Sequence, residues 1–259
     1  MDHEEYCARV SAEITQMASV TDGAAPTSPV PGCPGWDLAK LVKHTGIVHR
    51  WAAAAVATRA TVPIAMNTLD VGLPSDLAHY PQWLAAGGES LVAVLREAGP
   101  ATEVWSWSSE PGAGSAWWAR RMLHETTVHR ADAQTALGIE PSVDANVAAD
   151  GIDEFLTTAP HGSRPSKRLA ELPAGQSIHL HATDEGLGEA GEWLISLGDG
   201  GPGAGYAWSH GHAKGSLAVR GPVALLLLLA YGRIRAGDER LTFFGDQALI
   251  ARWQEVMAL

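Results

Sequence analysis

The residues best suited to chemistry lie in the segment 120–132, which holds two histidines and a glutamate. His124, Glu125 and His129 suggest a zinc-protease motif, but that motif needs its two histidines four residues apart on one helix face. Here they are five residues apart, which separates them by about 140° around a helix. Glu125 and His129 are the pair at i and i+4, and they share a face. A carboxylate and an imidazole so placed can bind one metal ion if another helix supplies a third ligand.

The second predicted helix offers candidates for that third ligand. It contains His44 and His49, and His44 lies among apolar residues at helical spacing. Helical bundles hold metal ions between facing helices. Two histidines with one carboxylate form a three-ligand set that leaves positions for water or substrate. The alternative interpretation is a solvated Glu–His pair on the helix surface.

Two further histidine pairs lie in the second half of the chain. His179 and His181, and likewise His210 and His212, are separated by one residue in segments with the alternation of β-strands. Both rings of each pair are therefore expected on one face of a sheet. Such pairs could bind a second metal ion, and exposed or interdomain histidines are the alternative.

The elements that must position these residues change in type along the chain. Before the Pro/Gly-rich segment 159–175, interpreted as a linker, hydrophobic spacing is helical, and the first four helices favour an antiparallel bundle. After it the period is two. The predicted helices are 3–19, 37–58, 75–97, 116–137 and 144–157, followed by strands at 177–183, 193–197, 206–209, 216–219 and 241–244 and by helices from Pro222 and over 247–257. We therefore predict an α+β protein of two domains, a helical bundle over 1–160 and a small domain with a mainly antiparallel sheet over 161–259.

Composition limits the kinds of molecule that can be the main partner of the protein. The 259 residues carry a formal net charge of −11, which argues against nucleic acid or an anionic membrane as the main partner. The longest apolar run, 222–230, is far shorter than the ~20 residues that span a bilayer. The acidic N-terminus shows no secretory signal, and two cysteines cannot build a disulfide framework. We expect a soluble, cytoplasmic protein.

Several segments resemble one known family. The segment CPGWDLAKLVKH at 33–44 resembles a signature of the mycothiol-dependent maleylpyruvate isomerase family, and ARRMLHETTVHRAD at 119–132 and AADGIDE at 148–154 are similar to two more. That family belongs to the DinB-like metal-binding four-helix bundles. Further segments resemble its small C-terminal domain: HLHATD at 179–184, EW at 192–193, VRGP at 219–222 and GD at 245–246.

The resemblance implies a site and a reaction. It implies a divalent metal ion, Zn²⁺ in the first instance, held by His44, Glu125 and His129, with His49 and His124 as neighbours. It also implies mycothiol as thiol cosubstrate, whose thiolate attacks an electrophilic small molecule. The product would come from cis–trans isomerisation of the maleylpyruvate type or from S-transfer. The alternatives are a non-catalytic metal- or ligand-binding protein of the same fold, and a metal-dependent hydrolase that uses no thiol.

Other residues are candidates for roles around that site. Substrates of the isomerase type carry carboxylates, so Arg220 and Arg233, near the ends of the apolar C-terminal helix, are predicted to bind them; surface or interdomain ion pairs are the alternative. Asp132 could accept a hydrogen bond from an imidazole or be a plain surface acid. Cys33 could approach the site or be a small buried apolar residue.

Tryptophan is unusually frequent, with ten residues against three phenylalanines and four tyrosines. Six of the ten flank the two helices that would carry the site. They are expected to pack the bundle and its entry loops, and a minority to line an aromatic pocket. The six are Trp36, Trp51, Trp105, Trp107, Trp117 and Trp118.

Overall fold

The computed structural model describes residues 1–107, 114–161, 168–198 and 205–257. Parts of the predicted linker 159–175 and of the loop before the fourth helix lie outside these residues. The chain divides into two compact units, Met1–Pro141 and Ser142–Leu259. This confirms the prediction of a helical unit followed by an α+β unit.

The first unit is built from four long helices that begin and end at residues suited to those positions. In this unit α1 packs on α3 and α4, and α2 also packs on α3 and α4. The side chain of Asp37, the first residue of the predicted helix 37–58, accepts a hydrogen bond from the backbone N–H of Lys40 and so caps α2. Gly99 and Gly138, just beyond α3 and α4, have the positive φ values that end helices well. The helices are α1 His3–Thr21, α2 Leu38–Ala57, α3 Tyr80–Ala98 and α4 Gly114–Ala136.

Helix α3 begins later than the sequence pattern predicted. The predicted start was residue 75, but the chain first forms a short 3₁₀ turn, Leu77–His79, capped by the side chain of Asp76. The α-helix then starts at Tyr80, with Pro81 in its first turn, where its missing N–H costs no hydrogen bond. The Asp76 cap and the proline together move the boundary.

Helices α2 and α3 approach closely at a glycine. A methyl group on Gly46 of α2 would clash with the indole ring of Trp83 of α3. Trp83 in turn donates its indole N–H to the carbonyl of Val71 and lies under the guanidinium of Arg50, 4.0 Å away. Gly46 therefore lets the two helices pack at a distance that any side chain would increase.

In its described residues, the second unit combines a five-stranded sheet with three α-helices. The strand order is β3-β2-β1-β4-β5, and all neighbouring pairs are antiparallel except β1 with β4. Helix α6 packs on α5 and contacts β1 and β4. The elements are α5 Ala145–Thr158, β1 Ser177–Ala182, β2 Glu192–Leu197, β3 Tyr206–His210, β4 Leu217–Gly221, α6 Val223–Ala230, β5 Thr242–Gly245 and α7 Ala248–Met257.

The division between the units falls before α5, whereas the sequence pattern predicted a boundary after residue 160. Phe155 of α5 packs against Tyr231, with ring centroids 4.2 Å apart. The Tyr206 hydroxyl donates to the carbonyl of Leu156 at 2.7 Å. Helical spacing alone could not show that α5 packs on residues that follow the linker. None of the helices in the described ranges is long and apolar enough to cross a membrane.

Candidate metal centre

The structure brings His44, Glu125 and His129 together in the first unit. Glu125 and His129 lie one turn apart on α4, and His44 reaches them from α2. Oε1 of Glu125 lies 3.1 Å from Nε2 of His44 and 3.3 Å from Nε2 of His129. The three candidate ligand atoms, one from each residue, all lie within 4.8 Å of one another. The two imidazoles and the carboxylate could therefore reach one ion with small side-chain movements.

The second oxygen of Glu125 is held by an arginine on the same helix. Oε2 accepts a hydrogen bond from Nη2 of Arg121 at 2.8 Å. Burial alone would raise the pKa of Glu125, but the hydrogen bonds from His129 and His44, helped by the charge of Arg121, hold it well below its usual value. Arg121 flanks the candidate ligands in the sequence, and its i,i+4 spacing from Glu125 is the spacing of helical ion pairs.

The other nitrogen of His129 faces away from Glu125. Nδ1 of His129 donates to Oδ2 of Asp132 at 3.0 Å, and the thiol of Cys33 donates to the same oxygen at 3.4 Å. Asp132 is almost fully buried, so it is no surface acid. A carboxylate that binds Nδ1–H fixes the ring and leaves Nε2 for a metal ion. Cys33, His129 and Asp132 also form a second candidate ligand group, which the sequence analysis did not predict.

One tryptophan borders the cluster, and five others pack elsewhere in the unit. The ring of Trp36 lies 4.9 Å from that of His44 and 6.2 Å from that of His129, so the surroundings of the site are partly aromatic. The remaining five of the six singled out contact one another with ring centroids 4.5–6.4 Å apart. That group consists of Trp51, Trp105, Trp107, Trp117 and Trp118.

His49 and His124 are buried and belong to none of the candidate ligand groups. Nε2 of His49 lies 2.9 Å from the hydroxyl of Thr126, which itself donates to the carbonyl of Met122. The Thr126 oxygen therefore accepts the His49 N–H. Burial lowers the pKa of His49 to about 3, so its ring is neutral and adds no charge beside Glu125.

The donor set fits a divalent metal ion. Imidazole nitrogen and carboxylate oxygen are ligands of Zn²⁺ and of several other first-row metals. The rings of His44 and His129 lie 5.1 Å apart and nearly perpendicular, as two rings that share one ion can. Because Arg121 and Asp132 engage the outer atoms of Glu125 and His129, the inner atoms are already oriented. An ion held by these three side chains alone would keep at least one coordination position free.

Metal affinity at this cluster is expected to fall as pH falls. Burial alone would lower the pKa of His129, but hydrogen bonds with Asp132, Cys33 and Glu125 outweigh burial and raise it well above 6.5. A metal ion must displace that proton, so below the raised pKa the apparent affinity drops ~10-fold per pH unit. Isothermal titration with Zn²⁺ between about pH 8 and about pH 6 measures this. Asp132→Asn removes the hydrogen bond that does most to raise the pKa of His129, so the loss of affinity should begin at a lower pH in this variant. A Zn²⁺ affinity that does not change with pH would contradict the expectation.

The structure does not bring the predicted arginines and histidines of the second unit into one group. Arg220 is exposed on β4 and is in register with His181 of β1, so it shares a sheet face with that histidine. Arg233 follows α6, is half-buried, and donates to the carbonyl of Tyr231 at 3.0 Å. The predicted pair His210/His212 is divided: Nε2 of His210 lies 3.2 Å from the carboxylate of Asp153, while His212 joins the other histidines.

These features define a class of protein, a helical bundle with a histidine–carboxylate cluster followed by an α+β unit. Two family models match the chain. The mycothiol maleylpyruvate isomerase (MDMPI) N-terminal domain matches residues 7–134, and the MDMPI C-terminal domain matches residues 146–252. The chain belongs to the mycothiol maleylpyruvate isomerase family. Comparison with curated proteins and with solved structures gave no match. The family name points to an isomerase that depends on mycothiol.

Proposed function

We propose that the protein is a metal- and mycothiol-dependent enzyme that isomerises an electrophilic small molecule of the maleylpyruvate type. The observation that carries the proposal is the convergence of Nε2 of His44, Oε1 of Glu125 and Nε2 of His129, inside the residues that match the family's N-terminal domain. Since a divalent ion would be held by only three protein ligands, a position remains for a fourth ligand from outside the chain.

A metal ion bound here, Zn²⁺ in our proposal, would act as a Lewis acid that lowers the pKa of a thiol and favours its thiolate. The protein's own residues prepare the site for it. Glu125 contributes the negative charge, and Arg121 fixes its orientation. Asp132 keeps Nδ1 of His129 protonated so that Nε2 presents its lone pair, and Trp36 shields the two histidine rings from one side.

The reacting thiol must come from a cosubstrate. Cys33 is the nearest thiol of the chain, but its Sγ–H already donates to Asp132, beside the outer nitrogen of His129. That hydrogen bond engages the Cys33 thiol with Asp132, the residue that binds Nδ1 of His129. This supports mycothiol, which the family name contains, as the source of the nucleophile. In an isomerase the thiol is returned at the end of each cycle, whereas in an S-transferase it leaves with the product.

The test is an assay with and without metal and thiol. Protein stripped by a chelator should isomerise maleylpyruvate only after Zn²⁺ and mycothiol are both restored, as followed by the absorbance of the conjugated substrate. Consumption of mycothiol in step with substrate would indicate S-transfer instead. Turnover without thiol would support a metal-dependent hydrolase, and metal binding without turnover on a panel of electrophiles would support a non-catalytic binding protein.

We also propose that Arg220 and Arg233 bind the carboxylates of the substrate. If so, Arg220→Ala should lower kcat/KM by ~10- to 100-fold through KM, the loss expected for a charge-assisted hydrogen bond, and should leave metal content unchanged. Arg252→Ala, which removes a half-buried arginine paired with Glu171 and Glu255, is the matched control. Equal kinetics for both variants would refute the assignment of Arg220.

A further inference from the structure

Three histidines and a glutamate converge in the second unit. Oε2 of Glu192 lies 2.7 Å from Nδ1 of His212 and 3.0 Å from Nε2 of His179, and Oε1 lies 3.4 Å from Nδ1 of His181. The candidate ligand atoms of all four residues lie within 4.8 Å of one another. Three imidazoles thus surround a single carboxylate.

The fold of the sheet explains how these four residues meet. His179 and His181 alternate along β1 and so point to the same face. Glu192 begins β2 and is the antiparallel partner of His181, which places its carboxylate beside both rings. His212 comes from the segment that follows β3, on the far side of β2.

A glycine lets that segment close over the cluster. A methyl group on Gly215 would lie 3.0 Å from Cβ of His179 and 2.9 Å from its backbone nitrogen, closer than side chains normally approach. The chain passes close to His179 at Gly215, and His179 is only 3% exposed. His212 itself is largely exposed, so the cluster is open to solvent on one side.

The arrangement of the rings resembles that of ligands around one ion. Their centroids are 5.5–6.1 Å apart, and each pair of rings is tilted by 73–87°. Around a tetrahedral ion with metal–nitrogen bonds of ~2.0–2.1 Å, three imidazole centroids lie about 5 Å from one another. Side-chain movements of about 1 Å would complete such a site.

We propose that His179, His181, Glu192 and His212 bind a divalent metal ion of the Zn²⁺ class. Four protein ligands would complete the coordination sphere of the ion at this site. The cluster of His44, Glu125 and His129 offers three ligands and would leave a coordination position open. The ion would join β1, β2 and the segment after β3, and its role is therefore structural. The proposal does not depend on the function proposed for the first unit.

The same contacts would arise if protonated histidines simply paired with Glu192, and a count of bound metal separates the two cases. The test uses the full chain in a chelator-buffered Zn²⁺ solution, with bound zinc measured by mass spectrometry. The double variant His181→Ala/His212→Ala should bind about one equivalent fewer than the unmodified chain. His161→Ala, which removes an exposed histidine of the same unit outside the three ligand groups, should bind as the unmodified chain does.

A second comparison keeps the two sites apart. His129→Ala removes a ligand of the first cluster only, so combining it with His181→Ala/His212→Ala should bring bound zinc close to zero. If His129→Ala binds as much zinc as the unmodified chain while the double variant binds one equivalent fewer, the metal site of the proposed function is refuted and the site at Glu192 is supported. Zinc content of the double variant equal to that of the unmodified chain would overturn the present proposal.

The melting temperature, Tm, gives a second test that does not depend on counting bound zinc. Zn²⁺ should raise the Tm of the His129→Ala chain, because an ion that binds only the folded state stabilises it. Adding His212→Ala should remove most of that rise. His212 is exposed, so its loss should leave the metal-free Tm unchanged. An equal zinc-induced rise with and without His212 would contradict its role as a ligand.

Discussion

Replacing His129 with alanine is expected to remove most of the metal from the first unit and, with it, the thiol-dependent activity. In the proposed site His129 is one of three ligands, and its loss would also leave Asp132 without its imidazole partner. Since removing a group that merely orients a ligand costs 10- to 100-fold in metal affinity, loss of the ligand itself should cost more than about 100-fold. Zn²⁺ titration and the rate of maleylpyruvate isomerisation with mycothiol measure the two effects.

The matched control is His79→Ala. His79 is an exposed histidine of the same unit, outside all three candidate ligand groups. Its replacement should leave both affinity and rate unchanged, and circular dichroism should show that both variants are folded. Unchanged activity of His129→Ala in a metal-free preparation would refute the proposed role of the cluster.

Replacing Glu13 with alanine should destabilise the first unit strongly. Glu13 of α1 accepts hydrogen bonds from Nε and Nη2 of Arg130 of α4, at 2.5 and 3.3 Å, and both side chains are buried. Removing one partner of a buried ion pair leaves the other charge uncompensated, which typically costs ~3–5 kcal/mol. Urea denaturation, followed by far-ultraviolet circular dichroism, should show a loss of this size.

Two variants test the cause of that loss. Glu5→Ala removes an exposed acid on the same helix, paired with Arg9, and should change the free energy of unfolding by less than about 1 kcal/mol. The double variant Glu13→Leu/Arg130→Met removes both buried charges and should recover much of the stability. If Glu13→Ala were no more harmful than Glu5→Ala, the buried pair would not contribute as the geometry implies.

Most elements of the fold could be predicted because their signals are local. Asp37 and Asp144 cap α2 and α5, at the residues where these two helices were predicted to start. Alternation from residue 177 onward identified the strands of the second unit to within a residue or two. The start of α3 was misplaced because a 3₁₀ turn precedes it, and the division between the units was not visible because it depends on what α5 packs against.

The candidate site was predictable in part for the same reason. Glu125 and His129 are neighbours on one helix, so their spacing shows that they share a face. Spacing alone left both His44 and His49 as candidates for the third ligand, and of these two the structure brings only His44 into the ligand group with Glu125. The contacts of Cys33 with Asp132 and of Glu13 with Arg130 join residues about a hundred positions apart, which only the packing of helices brings together.

Helix α4 has a consequence for how the first unit can change during evolution. Its sequence is polar on average, yet it is buried over most of its length, because Arg121, Thr126, His129, Arg130 and Asp132 are buried along with its apolar residues. Few positions on such a helix are free to vary without losing either a packing contact or a polar partner. We therefore expect the loops and the other helices to tolerate substitution more readily than α4 does.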